Sequence, residues 1–229
     1  MALSDSVGQF FDQLATDYNI AILRCFPKYP EMLRTVVDFL PDFHASTVAE
    51  LGCGTGNLSK LLAAKYPESK MTLVDLSQDS LTVAQHSLPE MRKCEFLCCD
   101  MNDLDFPDHS FQVVTSAIAI HHLNSEQKKQ LFAKIIRWLA PGGVFIFADQ
   151  FRGDNDRLYQ LQMNQWYQAS MHAGSCRAEW DSWMSHQKEH DHHDRLRDQI
   201  NWLEQAGFST IDCVWKCMLW TVLVAEKSK

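Results

Sequence analysis

Glu50-Leu51-Gly52-Cys53-Gly54-Thr55-Gly56 sets three glycines at alternate positions, behind the short apolar run Val48-Ala49. A helical pattern follows, with Leu58, Leu61 and Leu62 on one face. Glycine is needed where a backbone turns sharply or where a ligand must lie against it, because a Cβ would collide. The helix start leaves N–H groups facing the turn, and these suit a carboxylate, a hydroxyl-rich ligand or a phosphate. Nineteen positions past Gly56, Asp75 ends the apolar run Met71-Thr72-Leu73-Val74, with Leu76 behind it. An acid at the tip of a second strand can accept both hydroxyls of a ribose. The glycine spacing is G-x-G-x-G, whereas the dinucleotide fingerprint is G-x-G-x-x-G, so nicotinamide-dependent redox chemistry is excluded.

These groups need strands and helices in alternation to hold them. The sequence predicts a helix over 7–18, with Val7, Phe10, Phe11, Leu14 and Tyr18 at helical spacing, and a second from Pro30 to Leu40. Strands are expected over 46–51, 70–76, 94–99, 112–119 and 144–148. Helices are expected from Asn57 onward and over 79–87 and 124–139, the last opened by a capping box of Asn124 with Gln127. Residues 149–198, rich in Trp, Met, His and Gln, break the alternation and read as a helical insertion. A crossover helix over 200–206, closed by Gly207, and two hairpin strands over 209–216 and 218–225 finish the chain. The expected fold is α/β: a doubly wound, seven-stranded, mostly parallel sheet with a helical cap insertion after strand five. The whole chain, 1–229, is expected to form one domain, with N-terminal helices or lid over 1–45 and the cap over 150–198.

The glycine turn and Asp75, in this order and at this distance, resemble motif I and the acidic strand end of class I S-adenosylmethionine (SAM)-dependent methyltransferases. Asp100-Met101 after strand three resembles the family's adenine-binding pair. Ser116-Ala117-Ile118-Ala119-Ile120-His121-His122-Leu123 resembles its fourth motif, and Leu139-Ala140-Pro141-Gly142-Gly143 its turn before strand five. The resemblance implies SAM as cofactor, with S-adenosylhomocysteine as product. It also implies a cofactor site of Glu50, Gly52, Cys53, Gly54, Gly56, Asp75, Leu76, Asp100, Met101, Ser116 and Ala117. Phe11-Asp12, Asp17-Tyr18 and Trp202-Leu203-Glu204-Gln205-Ala206-Gly207-Phe208 resemble a narrower subgroup, the type 11/12 small-molecule enzymes. That subgroup is similar to the tRNA wobble-uridine carboxymethyltransferase, which holds a carboxylated cofactor with an arginine of the insertion. The comparable stretch here, Met184-Ser185-His186-Gln187-Lys188, has none.

Methyl transfer is an in-line displacement that needs no covalent nucleophile, only alignment and the exclusion of water. Two residues are catalytic candidates. His121 stands where a base could take a proton from a hydroxyl or amine acceptor, with packing as the competing role. Tyr18 could cover the sulfonium with its ring face or serve in the helix core. The run His186, His190, Asp191, His192, His193 and Asp194 reads as a solvated helix face. A catechol-type metal site would want an acid where Ser116-Ala117 stands, so no metal is expected. Trp166, Trp180, Trp183, Met163 and Met171 are candidates for an acceptor wall.

Composition bounds the partners. The net charge of −8 opposes non-specific nucleic-acid binding, which depends on neutralising phosphates. No uninterrupted apolar run is long enough to span a bilayer, and the first residues lack a signal-peptide pattern. The eight cysteines contain no C-x-x-C pair and are expected as buried free thiols in a reducing cytoplasm. The expected reaction is O- or N-methylation of a small organic acceptor, with a homodimer left open. A tRNA-modifying relative or a non-catalytic SAM-binding protein is the alternative.

Overall fold

The computed structural model describes residues 18–42, 45–88 and 93–229. The expected helix over 7–18 therefore falls outside the described residues, apart from Tyr18. Seven strands form the sheet: β1 (Thr47–Leu51), β2 (Lys70–Asp75), β3 (Cys94–Cys98), β4 (Phe111–Ala117), β5 (Leu139–Gln150), β6 (Thr210–Cys217) and β7 (Trp220–Glu226). Their order is β3-β2-β1-β4-β5-β7-β6. All neighbours pair in parallel except β7, which runs antiparallel to both β5 and β6. The doubly wound sheet is as expected. The order reverses between β1 and β4, and that reversal opens a crevice beyond their carboxyl ends.

The strand pleat divides the interior into two cores. Val144, Ile146 and Ala148 of β5 join one core, while Phe145 and Phe147 join the other. The first is covered by α1 (Tyr18–Cys25), α2 (Tyr29–Asp38), α3 (Asn57–Lys65) and α4 (Gln78–Ser87). The second is covered by α5 (Ser125–Trp138) and α8 (Leu196–Ala206). Between β5 and α8 lie α6 (Asp156–His172) and α7 (Arg177–His190), the insertion, whose Trp166 and Trp180 are buried in the first core. No described helix is long and apolar enough to cross a membrane.

Local signals account for most boundaries. The capping box forms as expected: Asn124 accepts the Gln127 N–H, and the Gln127 side chain accepts the Asn124 N–H. Gly207, in the left-handed region at φ 107°, ends α8. Two expectations need correction. β5 begins at Leu139, which already pairs with Phe111, and the Pro141-Gly142-Gly143 segment is absorbed as an irregularity within the strand. The cysteines are not uniformly buried. Cys98 and Cys176 are exposed, the former because β3 is an edge strand with one face open to water.

Candidate active site

The cleft at the reversal point is walled by the turn from Gly52 to Thr55, by Asp75 and Leu76 after β2, by Asp100 and Met101 after β3, and by Ala117 at the end of β4. The glycines act in different ways. A Cβ at Gly52 would meet the Ala119 Cβ at 2.2 Å, so β1 and the loop after β4 close together only over glycine. A Cβ at Gly54 would meet nothing within 4 Å and would stand in open space, at a φ of +53° that side chains avoid. The turn therefore keeps a cradle that a side chain would fill, which fits a ligand laid on the backbone.

Asp75 sits in that cradle with Oδ2 accepting the Gly54 N–H at 2.7 Å and Oδ1 accepting the Ser77 N–H at 2.9 Å. Burial raises its carboxyl above the usual range, and the backbone N–H groups pull against that shift. Asp100 is oriented by the Asn102 backbone and side-chain amides, at 2.8 and 2.9 Å.

Three residues expected at the cofactor do not line the cleft. Glu50 is buried beneath the turn, accepting the Ser59 hydroxyl at 2.5 Å. Burial, reinforced by nearby Asp75, pushes its carboxyl up to about 8 despite that hydrogen bond. Gly56 lies behind the cleft, where a Cβ would press on Ser87 Oγ at 3.2 Å and Ala84 Cβ at 3.3 Å. Ser116 donates its hydroxyl to the Leu51 carbonyl at 2.7 Å, tying β4 to β1 inside the sheet. Sequence reasoning missed Asn19. Its Oδ1 accepts from Thr55 Oγ1 at 2.9 Å and Asn57 Nδ2 at 2.7 Å, and so pins α1 across the glycine turn. No spacing rule links position 19 to position 55.

A second, smaller chamber lies between the sheet edge and the insertion. Ile22, Trp166, Trp183 and Trp220 give it apolar walls, and His121, Gln150 and Gln187 give it polar points. Tyr18 and Ile118 stand in both cavities. Desolvation raises the Tyr18 phenol well above its ordinary value, so it meets the cavities as a protonated hydroxyl. Ile118 is held at φ +53°, a left-handed conformation that costs a β-branched residue about 1–3 kcal/mol. The strained turn sends the chain into the short helix Ile120–His122 and splits two adjacent histidines between the cavities. His122 faces the cleft and His121 the chamber.

His121 is fixed by one carboxylate. Its Nδ1 lies 2.6 Å from Asp149 Oδ1, and its backbone N–H donates to Oδ2 at 2.9 Å. This pairing assigns the proton to Nδ1 and leaves the Nε2 lone pair toward the insertion. Burial, then neighbouring His122, lowers the His121 pKa, against the pull of Asp149 and Asp191. Asp149 itself is pushed up by burial, but His121 and the hydrogen bonds outweigh that and hold it low.

Apart from the exposed His192, the histidine-rich run is not a solvated face, contrary to expectation. His186 and His190 are 7% exposed, and the side chains of Asp191 and His193 are 5% exposed. The reason is tertiary. The His192 N–H donates to the His121 carbonyl at 2.7 Å, and the wholly buried Lys128 amine binds Asp194 at 2.7 Å. These bonds draw the end of the insertion over the turn at Ile120–His122.

Residues 48–143 match the family model described as a methyltransferase domain. A methyltransferase of Bacillus mycoides is 30% identical over 157 residues, covering 67% of this chain and 68% of that one. The chain belongs to the class I SAM-dependent methyltransferases. A carboxy-S-adenosyl-L-methionine synthase of a Shewanella species is 24% identical to this methyltransferase, across 96% of the chain and 92% of the relative. The fold also matches the Haemonchus contortus phosphoethanolamine N-methyltransferase 2 solved with SAM. The TM-score is 0.72 at 16% identity, covering all of this methyltransferase and 60% of that chain. The chain spans 65% of a Bacillus licheniformis methyltransferase and 38% of the 2-methyl-6-phytyl-1,4-hydroquinone methyltransferase of Synechocystis.

Proposed function

We propose that this methyltransferase places a methyl group on an oxygen or nitrogen of a small organic acceptor held in the chamber. The observation that carries the reading is that the cleft and the chamber meet at Tyr18 and Ile118, so molecules in the two cavities approach at one junction. SAM, bound in the cleft, would supply a methyl already activated by its sulfonium. Asp75 would hold its ribose, Asp100 and Met101 its adenine, and the turn from Gly52 to Gly54 its amino-acid end. The tryptophan walls would exclude water and orient an apolar body, with His121 and Gln150 meeting its polar end. Tyr18 would close the junction with its ring toward the positive sulfur.

The relative acting on a hydroquinone supports a small acceptor. The alignment with the carboxy-SAM synthase favours a second reading, in which the cofactor itself is processed. No lysine or arginine is among the described residues lining either cavity, which speaks against holding an added carboxylate there. Calorimetry should show saturable SAM binding, and cell-extract metabolites should then drive repeated release of S-adenosylhomocysteine. Tight SAM binding with no turnover on any metabolite fraction would overturn the reading. A carboxylated cofactor seen by mass spectrometry would favour the second.

A further inference from the structure

Titratable groups from three distant parts of the chain converge on one carboxylate. Asp191 follows α7, and its side chain is 5% exposed. His122 Nδ1 lies 3.2 Å from its Oδ1, and His121 Nε2 lies 3.6 Å from the same oxygen. His193 Nε2 lies 3.5 Å from Oδ2. His186 Nε2 lies 3.9 Å from Oδ1. Oδ1 accepts no hydrogen bond among the described residues. One ligand atom each from His121, His122 and Asp191 falls within 4.8 Å of the others. Donors placed 2.0–2.2 Å from a tetrahedral ion stand about 3.4 Å apart. The two short separations match the edges of such a site.

A second observation concerns the far nitrogen of His121. Its Nδ1 lies 2.6 Å from Asp149 Oδ1, and Asp149 is buried. A carboxylate that fixes the tautomer and turns the opposite nitrogen toward a shared point is the support that metal-binding histidines require. There is also a way in. Asp191 borders the chamber on one side and an outer hollow lined by His193, Tyr159 and Arg152 on the other.

We propose that His121, His122 and Asp191 hold one divalent first-row transition metal ion beside the chamber. Two imidazoles and one carboxylate suit zinc, iron, cobalt or nickel, whereas magnesium and calcium favour all-oxygen sites. A coordination position left open toward the chamber would take an oxygen or nitrogen of the acceptor. The acceptor's class follows: a small molecule whose methylated heteroatom, or one adjacent to it, is a metal ligand. That role rests on the methyl-transfer reading; the ion's binding does not. The acid missing at Ser116-Ala117 is irrelevant to this site, because its carboxylate comes from the insertion.

Chelator-treated full-length protein titrated with Co²⁺ should develop visible ligand-field absorption that saturates at one equivalent and bleaches on adding Zn²⁺. Asp191→Asn keeps the side-chain shape and should weaken Co²⁺ binding at least 100-fold. Asp149→Asn should weaken it by about 10–100-fold. His122→Gln should act like Asp191→Asn and replaces it if that variant does not fold, with cooperative thermal melting reporting folding. Wild-type protein that binds SAM but takes up neither ion stoichiometrically overturns the proposal. So does equal Co²⁺ affinity in the wild type and a folded ligand variant. Metal uptake without SAM turnover breaks the methyl-transfer reading and leaves the metal site standing.

Discussion

Between Val48 and Ala148 most walls of the cleft sit at or just beyond the carboxyl end of the strand that precedes them in sequence, with Tyr18, Tyr29, His190 and His192 closing it from elsewhere. The chamber is assembled differently. Its walls come from α1, the turn after β4, the insertion and the first residue of β7, so that Tyr18 and Trp220 meet across nearly the whole chain. The cleft is local geometry repeated along a sheet. The chamber exists only as tertiary contact. The first should tolerate changes in the insertion that spare His190 and His192, and the second should fail when any of its distant contributors is removed.

The sharpest way to break that comparison is Gly54→Val. The added side chain enters the cradle at a φ of +53°, and calorimetry should detect no SAM binding in a variant that still melts cooperatively. Wild-type affinity would show that the cofactor does not lie on this turn. On the chamber side, Trp166→Ala removes a 3% exposed indole whose Nε1 donates to the Cys25 carbonyl at 2.7 Å. Denaturant unfolding should report a loss of about 3–5 kcal/mol. A loss below 1 kcal/mol would mean that the insertion is not part of the core.

Glu50 gives a pH-dependent test beneath the cleft. Its folded carboxyl is raised from 4.5 to about 8. The unfolded chain releases this proton near the ordinary value while the folded chain keeps it, so stability falls as pH rises through that window and levels off above it. Glu50→Gln lacks this loss. Its stability advantage over wild type should be small near pH 5 and grow to the order of 4 kcal/mol by about pH 9. An advantage that does not change with pH would place an ionised Glu50 in the fold. Next in size, Asp75→Ala should weaken SAM binding by about 1.5–3 kcal/mol through loss of a charged acceptor, in a variant that still melts cooperatively. The smallest expected effect sharpens the contrast most. Trp183→Ala should leave SAM affinity within about twofold while lowering turnover once an acceptor is known, since it lines the chamber and not the cleft. An equal loss of SAM affinity would merge the two regions into one.

What could be seen in advance divides along the same line. The glycine turn, Asp75, Asp100 and the capping box at Asn124 are carried by residues within one strand–turn–helix unit, where local sterics and hydrogen bonding decide the outcome. Glu50, Gly56 and Ser116 belong to the same motifs, yet they pack behind the cleft. A motif gives spacing, but not which face of the strand or turn meets the ligand. The burial of His186, His190 and Asp191 was hidden because it depends on the bond from His192 to His121 and on Lys128 reaching Asp194. Helical periodicity in α7 does not encode either contact. The strained Ile118 was equally out of reach, since a β-branched residue is a poor forecast for a left-handed turn.

Trp220 stacks on Phe26 with ring centroids 3.6 Å apart and meets Trp166 edge-on at 4.8 Å, while β7 closes the open side of β5. Trp220, which completes the chamber, therefore emerges from the ribosome after every strand that walls the cleft. A nascent chain can carry the whole glycine turn, Asp75 and Asp100 well before it owns the Trp220 wall of the chamber. Until then β5 presents a bare hydrogen-bonding edge, the kind that recruits other strands. The order of synthesis thus completes the cleft's strands before the chamber, and a chain stopped short of Trp220 is left as a sticky sheet with its chamber open.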